Sequence, residues 1–193
     1  TATGGLARGV SPFEMANAFA TFANQGVFID AYTFTEIKNY RDDVIYKAQP
    51  DFDAVYRSQT AYIMTDILKE ITSSATSHYP HVGTAYGRIS LQDGAMPVAG
   101  KTGTTSDHLD KWFVGYTPYY TAAVWYGYDN RIMPIELVKG VYRKNEETGS
   151  YYYDGEYNQA QFIWDAVMEK VHENLTPKDF EKPTSGLVER EIC

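Results

Sequence analysis

The sequence predicts an α+β fold in which an antiparallel sheet is flanked by helices. Apolar residues recur at helical spacing in the first third of the chain and again around residue 160. Between these stretches, residues 98–128 hold three strand-like runs. The links joining the runs are too short for a crossover, so neighbouring strands should be antiparallel.

Taken in order, Ser11-Pro12-Phe13-Glu14 opens the first helix. The Ser11 hydroxyl can cap, Pro12 suits the first helical position, and Glu14 can reach back to complete a capping box. Phe13, Ala16, Phe19, Ala20 and Ala23 then share a face, and Gly26 supplies a left-handed stop. Residues 27–37 and Val44-Ile45-Tyr46, on either side of a polar turn at 39–43, suggest a peripheral hairpin. Ser58 can cap a second helix whose Ala61, Met64, Leu68 and Ile71 should face the core. The strand-like runs are Val98–Thr104, Trp112–Tyr116 and Ala122–Tyr128. A last helix is expected from about Asn158 to Glu173, with Ile163, Ala166, Val167 and Lys170 on adjoining turns. Residues 1–175 read as one domain portion and 176–193 as a tail or linker.

The 193 residues are 44% hydrophobic and 22% charged, as in ordinary globular domains. A net charge of -8 without any basic stripe argues against nucleic acid as a partner. The single cysteine, Cys193, provides neither an internal disulfide nor a metal cluster, and no cofactor is expected. No apolar run approaches the roughly 18 residues of a membrane span, and the first residues lack the pattern of a signal peptide. The opening Thr1-Ala2-Thr3-Gly4-Gly5 resembles the middle of a protein, so a cut fragment is expected.

Chemistry concentrates in Ala99-Gly100-Lys101-Thr102-Gly103-Thr104-Thr105, where one short strand carries a cation, hydroxyls and a residue without a side chain. Alternation would put Lys101 and Gly103 on one face and Thr102 and Thr104 on the other. Both faces can serve one ligand only if this is an edge strand bordering a groove, with an extended peptide alongside. There Gly103 would admit a ligand backbone, Lys101 and the hydroxyls would meet a carboxylate, and a backbone N–H near Thr104 would face a developing oxyanion. Taken alone, Lys-Thr-Gly-Thr is a low-information tetrapeptide that more often marks a solvated strand end.

Its surroundings carry more information. Gly9-Val10-Ser11-Pro12-Phe13-Glu14-Met15-Ala16, then Phe19-Ala20-Thr21-Phe22-Ala23-Asn24-Gln25-Gly26, and later Lys111–Pro118 and Ala123–Asp129, resemble bifunctional class A penicillin-binding proteins. The resemblance implies the C-terminal part of a transpeptidase domain with the penicillin-binding or serine β-lactamase-like fold. Its activity would be peptidoglycan DD-transpeptidation: a serine attacks the D-Ala-D-Ala end of a stem peptide, releases D-Ala and passes the acyl group to an amine. Carried over residue by residue, Lys101 and Thr104 are catalytic. Lys101 orders the proton-relay network and supplies positive potential, and the Thr104 N–H joins the oxyanion hole. Thr102 and Thr104 bind the terminal carboxylate, while Gly103 keeps the groove open. Implied partners are peptidoglycan stem peptides, β-lactam antibiotics and a missing N-terminal transpeptidase segment. The implied location is the outer face of the bacterial cytoplasmic membrane, through an N-terminal anchor absent here.

The chain departs from the family in containing no Ser-x-x-Lys and no Ser-x-Asn. The nucleophile and its base are therefore expected on an upstream piece, and this fragment alone is expected to be inactive. Tyr128-Asp129-Asn130 follows the Lys-Thr-Gly strand, the wrong order for the second motif, and reads as a turn. His78, His81, Asp107 and His108 read as loop residues, although the last two could rim the groove; Trp112 and Trp125 are expected in the core. Two other readings stay open: a DD-carboxypeptidase or β-lactamase-like hydrolase with water as acceptor, and a non-catalytic module that binds cell-wall peptides.

Overall fold

A computed structural model describes residues 9–73, 82–105, 108–129, 134–135, 141–144, 151–154 and 158–188. Helix α1, Pro12–Ala23, starts as its first four residues dictate. The Ser11 Oγ accepts from the Glu14 N–H, while a Glu14 carboxylate oxygen accepts from the Ser11 N–H at 2.8 Å. The Ser11 N–H and, secondly, the Ser11 hydroxyl donate to the Glu14 carboxylate and hold it below the usual range. The helix ends where Gln25 and Gly26 turn left-handed, and Gly26 lies so close to the Tyr56 carbonyl that a side chain would collide with it.

Four short strands follow: β1, Val27–Ile29; β2, Glu36–Lys38; β3, Val44–Lys47; and β4, Phe52–Ala54. The hairpin expected around residues 39–43 is β2–β3. The expected run 27–37 is divided, however, because β1 pairs with β4 rather than continuing into β2. Helix α2, Ser58–Lys69, is flanked by Arg57 at its N-cap without a side-chain cap bond, so Ser58 does not cap it.

The central sheet is β5, Ala99–Thr104, β6, Asp110–Tyr116, and β7, Thr121–Gly127, antiparallel in the order β5-β6-β7. A separate antiparallel ribbon joins β8, Val141–Lys144, to β9, Tyr151–Asp154. Helix α3, Gln159–His172, is capped by Asn158, whose side chain accepts from the Ala160 N–H. Phe113 meets Trp164 of α3 edge to face, with ring centroids 5.1 Å apart. On the other face Tyr116 bonds Thr65 of α2 and meets Phe19 of α1. Thus α3 covers one face of the sheet, and α1 and α2 the other.

The larger core lies on the α3 side, where Ile89, Leu91, Met96 and Val98 fill the space around Phe113, Trp164 and Met168. The cross-strand pair Gly100 and Gly115 makes room for it. A Cβ on Gly100 would sit 2.9 Å from the Phe113 ring, and one on Gly115 2.9 Å from the Trp164 ring. The buried tryptophan is therefore Trp164, whereas Trp112 and Trp125 are only half-buried, which corrects their expected core placement. Trp125 stays at the rim because its indole N–H donates to Asp110 Oδ1 at 2.7 Å.

Ala61 and Ile71 are buried as the hydrophobic pattern predicts, but polar residues join the inward faces of α2 and α3. Thr65 rather than Met64 is buried in α2, and Gln161, Trp164, Met168 and His172 are buried in α3 while Ile163, Ala166, Val167 and Lys170 are exposed. These buried side chains make specific bonds: Thr65 donates to the Ala61 carbonyl, and the Gln161 amide N–H donates to the Thr84 carbonyl. The His172 Nδ1 donates to the Met168 carbonyl, leaving its Nε2 to accept from Thr117 Oγ1 at 2.8 Å. That hydroxyl in turn accepts from the Tyr119 and Tyr120 N–H groups, so one imidazole locks the β6–β7 turn to the end of α3.

Beyond α3 the chain crosses back over α2. Phe180 packs edge to face on Tyr116, Asp179 pairs with Lys69, Glu181 accepts from Gln25, and the Ser185 carbonyl accepts from Gln59. Among the described residues no helix is long and apolar enough to cross a membrane.

The burial of Tyr116 predicts an alkaline loss of stability. Burial pushes the Tyr116 hydroxyl up to about 12, outweighing the opposing effect of the Thr65 hydrogen bond. An unfolded tyrosine ionises near 10, so the contribution is complete below about pH 10 and declines toward pH 12, amounting to about 2–3 kcal/mol. Urea unfolding between pH 9 and 12 should show the wild type losing more stability than Tyr116→Phe. Parallel curves would exclude this assignment.

Candidate functional site

The candidate site is the free edge of β5. Among the described residues the strand pairs with β6 on one side only, without a register shift, so alternation holds along its whole length. Lys101 stands opposite Val114 and Gly103 opposite Trp112, while Thr102 stands opposite Phe113 and Thr104 opposite Lys111. Lys101 and Gly103 consequently share the α1–α2 face, and Thr102 and Thr104 share the α3 face. The strand enters from a buried stretch, Val98 to Gly100, then emerges: Lys101 and Thr104 are exposed, Thr102 and Gly103 half-buried.

Lys101 is not sequestered in an ion pair among the described residues; its Nζ donates 2.8 Å to the Thr102 carbonyl. The Thr102 hydroxyl lies 3.1 Å from that of Thr84. Gly103 has a close neighbour of its own, since a Cβ there would sit 3.0 Å from the Trp112 Cβ. The absence of a side chain therefore serves cross-strand packing as well as any ligand.

Thr105, just past the strand, organises the turn: its Oγ1 accepts from the Leu109 and Asp110 N–H groups, and its own N–H donates to the Asp110 carbonyl. His108 occupies this turn in a left-handed conformation, and its carbonyl accepts from the Ile135 N–H. Asp107, His78, His81 and Asn130 lie outside the described residues.

Thr84 was not anticipated from sequence. It belongs to a segment stitched onto α3, where Asp165 accepts from the Ser90 N–H and Glu169 from the Gln92 N–H. Burial holds the Asp165 carboxyl above its usual range; the Ser90 bond opposes this and the nearby Glu169 charge adds to it. Only the pairing of Thr84 with Thr102 in three dimensions marks it.

Two concavities lie away from β5. One, of about 200 Å³, is bounded by Phe22, Tyr62, Thr65, Pro118 and Phe180. The other is an open groove of about 540 Å³ between α1 and the β6–β7 turn, with Phe13, Ala16, Tyr119 and Tyr120 on its walls. Neither gathers the cation and hydroxyls that β5 does. Among the described residues no cluster of His, Cys, Asp and Glu could hold a metal.

Comparison with known structures places the fold first. Penicillin-binding protein 1A from Haemophilus influenzae superposes with a TM-score of 0.70 at 17% identity, over 91% of this chain and 28% of that one. Penicillin-binding protein 3 from Mycobacterium tuberculosis, solved with ampicillin, gives 0.64 at 17% identity over 93% of this chain and 38% of that one. In sequence, penicillin-binding protein 1A from Clostridium botulinum is 32% identical over 183 residues, covering 94% of this chain and 19% of the relative. Penicillin-binding protein 1F from Bacillus subtilis is 33% identical over 158 residues, 77% of this chain and 21% of the relative. The chain thus spans about a fifth of the length of these curated relatives. The family model described as penicillin binding protein transpeptidase domain matches residues 1–134. The chain belongs to that family.

Proposed function

We propose that this chain is the part of a serine-type peptidoglycan DD-transpeptidase that carries the Lys101–Thr104 strand. Acyl transfer from D-Ala-D-Ala stem peptides would start at a serine on a preceding segment, because this sequence holds no Ser-x-x-Lys. The observation that carries the reading is that β5 is an edge strand with Lys101 and Thr104 exposed. An extended stem peptide would lie along that edge, with its carboxylate toward Lys101 and the Thr102 and Thr104 hydroxyls and its acyl carbon toward the Thr104 N–H. A β-lactam would occupy the same place; the structural neighbour from Mycobacterium tuberculosis was solved with ampicillin, which supports β-lactam binding as such. Residues 1–175 would form the transpeptidase portion and 176–193 its tail, acting on the outer face of the cytoplasmic membrane through an anchor outside this chain.

Intact-mass spectrometry with a labelled penicillin tests the division of labour. The 193 residues alone should gain no covalent adduct, and the complete domain should gain one per molecule. A stable adduct on the isolated chain would place a nucleophile here and overturn the proposal.

A further inference from the structure

Thr84 stands where a side chain can govern what Thr102 offers to a ligand, and its backbone is held from three directions. The Gly83 N–H donates to the Ser73 carbonyl and the Ala85 N–H to the Ile71 carbonyl, both at 2.9 Å. The Thr84 carbonyl accepts from the amide of Gln161, a fully buried residue of α3, also at 2.9 Å. Gly83 passes so close to the Ile71 carbonyl that a Cβ there would lie 2.2 Å from its oxygen, so the chain can run here only with glycine before Thr84. The Thr84 hydroxyl is therefore presented from a fixed platform, 3.1 Å from the hydroxyl of Thr102 on the free edge of β5.

Two hydroxyls in contact use one proton between them and leave the other free. A carboxylate can only accept, so it binds the arrangement in which Thr84 donates to Thr102 and Thr102 donates outward. Each donor in such a chain polarises the next, strengthening the outer bond. We propose that Thr84 is a positioning residue, which fixes the Thr102 hydroxyl as a donor to the ligand carboxylate. The proposal rests on the reading of β5 given above. It requires no contact between Thr84 and the ligand.

The test uses the complete transpeptidase domain containing this segment, acylated by a penicillin. Thr84→Val keeps the shape and removes the hydroxyl; it should lower the second-order acylation rate about 3- to 10-fold, the scale of one hydrogen bond. The loss should fall on the apparent affinity rather than on the limiting acylation rate, because the carboxylate is bound before the ring opens. Thr84→Ser, which retains the hydroxyl, should restore the rate. In a Thr102→Val background, Thr84→Val should have no further effect, since the group it positions is gone. Full activity of Thr84→Val alongside an impaired Thr102→Val would overturn the role of Thr84 and leave the β5 site intact. The same Thr84→Val penalty with and without the Thr102 hydroxyl, accompanied by a lower melting temperature, would assign Thr84 a merely structural role and overturn it as well. If Lys101→Ala and Thr102→Val both acylate like the wild type, the β5 reading itself fails and the Thr84 proposal falls with it.

Discussion

Lys101→Ala in the complete domain should acylate with penicillin about 100-fold more slowly than the wild type while melting at the same temperature. The rate expectation comes from charge: a hydrogen bond to an ionised partner contributes about 1.5–3 kcal/mol, or roughly 10- to 150-fold. The proton-relay role that the resemblance implies for Lys101 would add to that figure. The stability expectation comes from exposure, because among the described residues the Lys101 ammonium bonds the Thr102 carbonyl alone, and truncating an exposed side chain changes stability by about 0.5 kcal/mol or less. Lys101→Arg should remain impaired, since a planar guanidinium on a longer stem does not place its donors where the ammonium was. Stopped-flow acylation at a near-wild-type rate for Lys101→Ala would remove this residue from the mechanism.

Trp164→Ala should have the largest effect on folding, a loss of about 3–5 kcal/mol. The indole is fully buried, lies against Phe113 and the Gly100–Gly115 slot, and donates to the Ala122 carbonyl at 3.0 Å. Truncation leaves both a cavity and an unpaired carbonyl, and alanine cannot refill a slot shaped by two glycines. In a domain of this size the loss should lower the melting temperature by about 10 °C. Trp164→Phe should cost less, because it keeps an aromatic ring beside Phe113 and loses only the indole N–H and part of the packing. Urea unfolding within about 1 kcal/mol of wild type for Trp164→Ala would show that the two layers are not held together at this point.

Features encoded by near neighbours in sequence were the legible ones. The Ser11–Glu14 capping box and the Gly26 stop involve residues a few positions apart, and the structure has both. The three strands of the central sheet and the edge position that Lys101–Thr104 requires follow from short links and a Lys-Thr-Gly-Thr run. The pairing of β1 with β4 was not legible, because Phe52-Asp53-Ala54 is too short to show alternation and its partner lies 27 residues earlier at Val27–Ala54. Hydrophobic periodicity placed Ala61 and Ile71 inward, as the structure has them, but missed the buried polar residues of α2 and α3 for a different reason. It counts apolar residues as inward, whereas Thr65, Gln161 and His172 are buried because each finds hydrogen-bond partners contributed by the fold. Thr84 was invisible for the same reason: its partner Thr102 is 18 positions away and no local pattern joins them.

The course of the tail over α2 defines how the domain would bear a mechanical load. A pull applied beyond residue 188 meets the contacts one after another, beginning with the Ser185–Gln59 bond, then the Glu181–Gln25 bond, and last Phe180 against Tyr116 and the Asp179–Lys69 pair. The outer contacts are solvent-exposed polar ones and yield at small force. The resistance lies in drawing the Phe180 ring off Tyr116, a residue of the central strand β6. Tension from the C-terminal side therefore peels the tail in steps and reaches the sheet only after Phe180 has left, so β5, whose Ala99 pairs directly with Tyr116, is shielded from tugging until that ring releases.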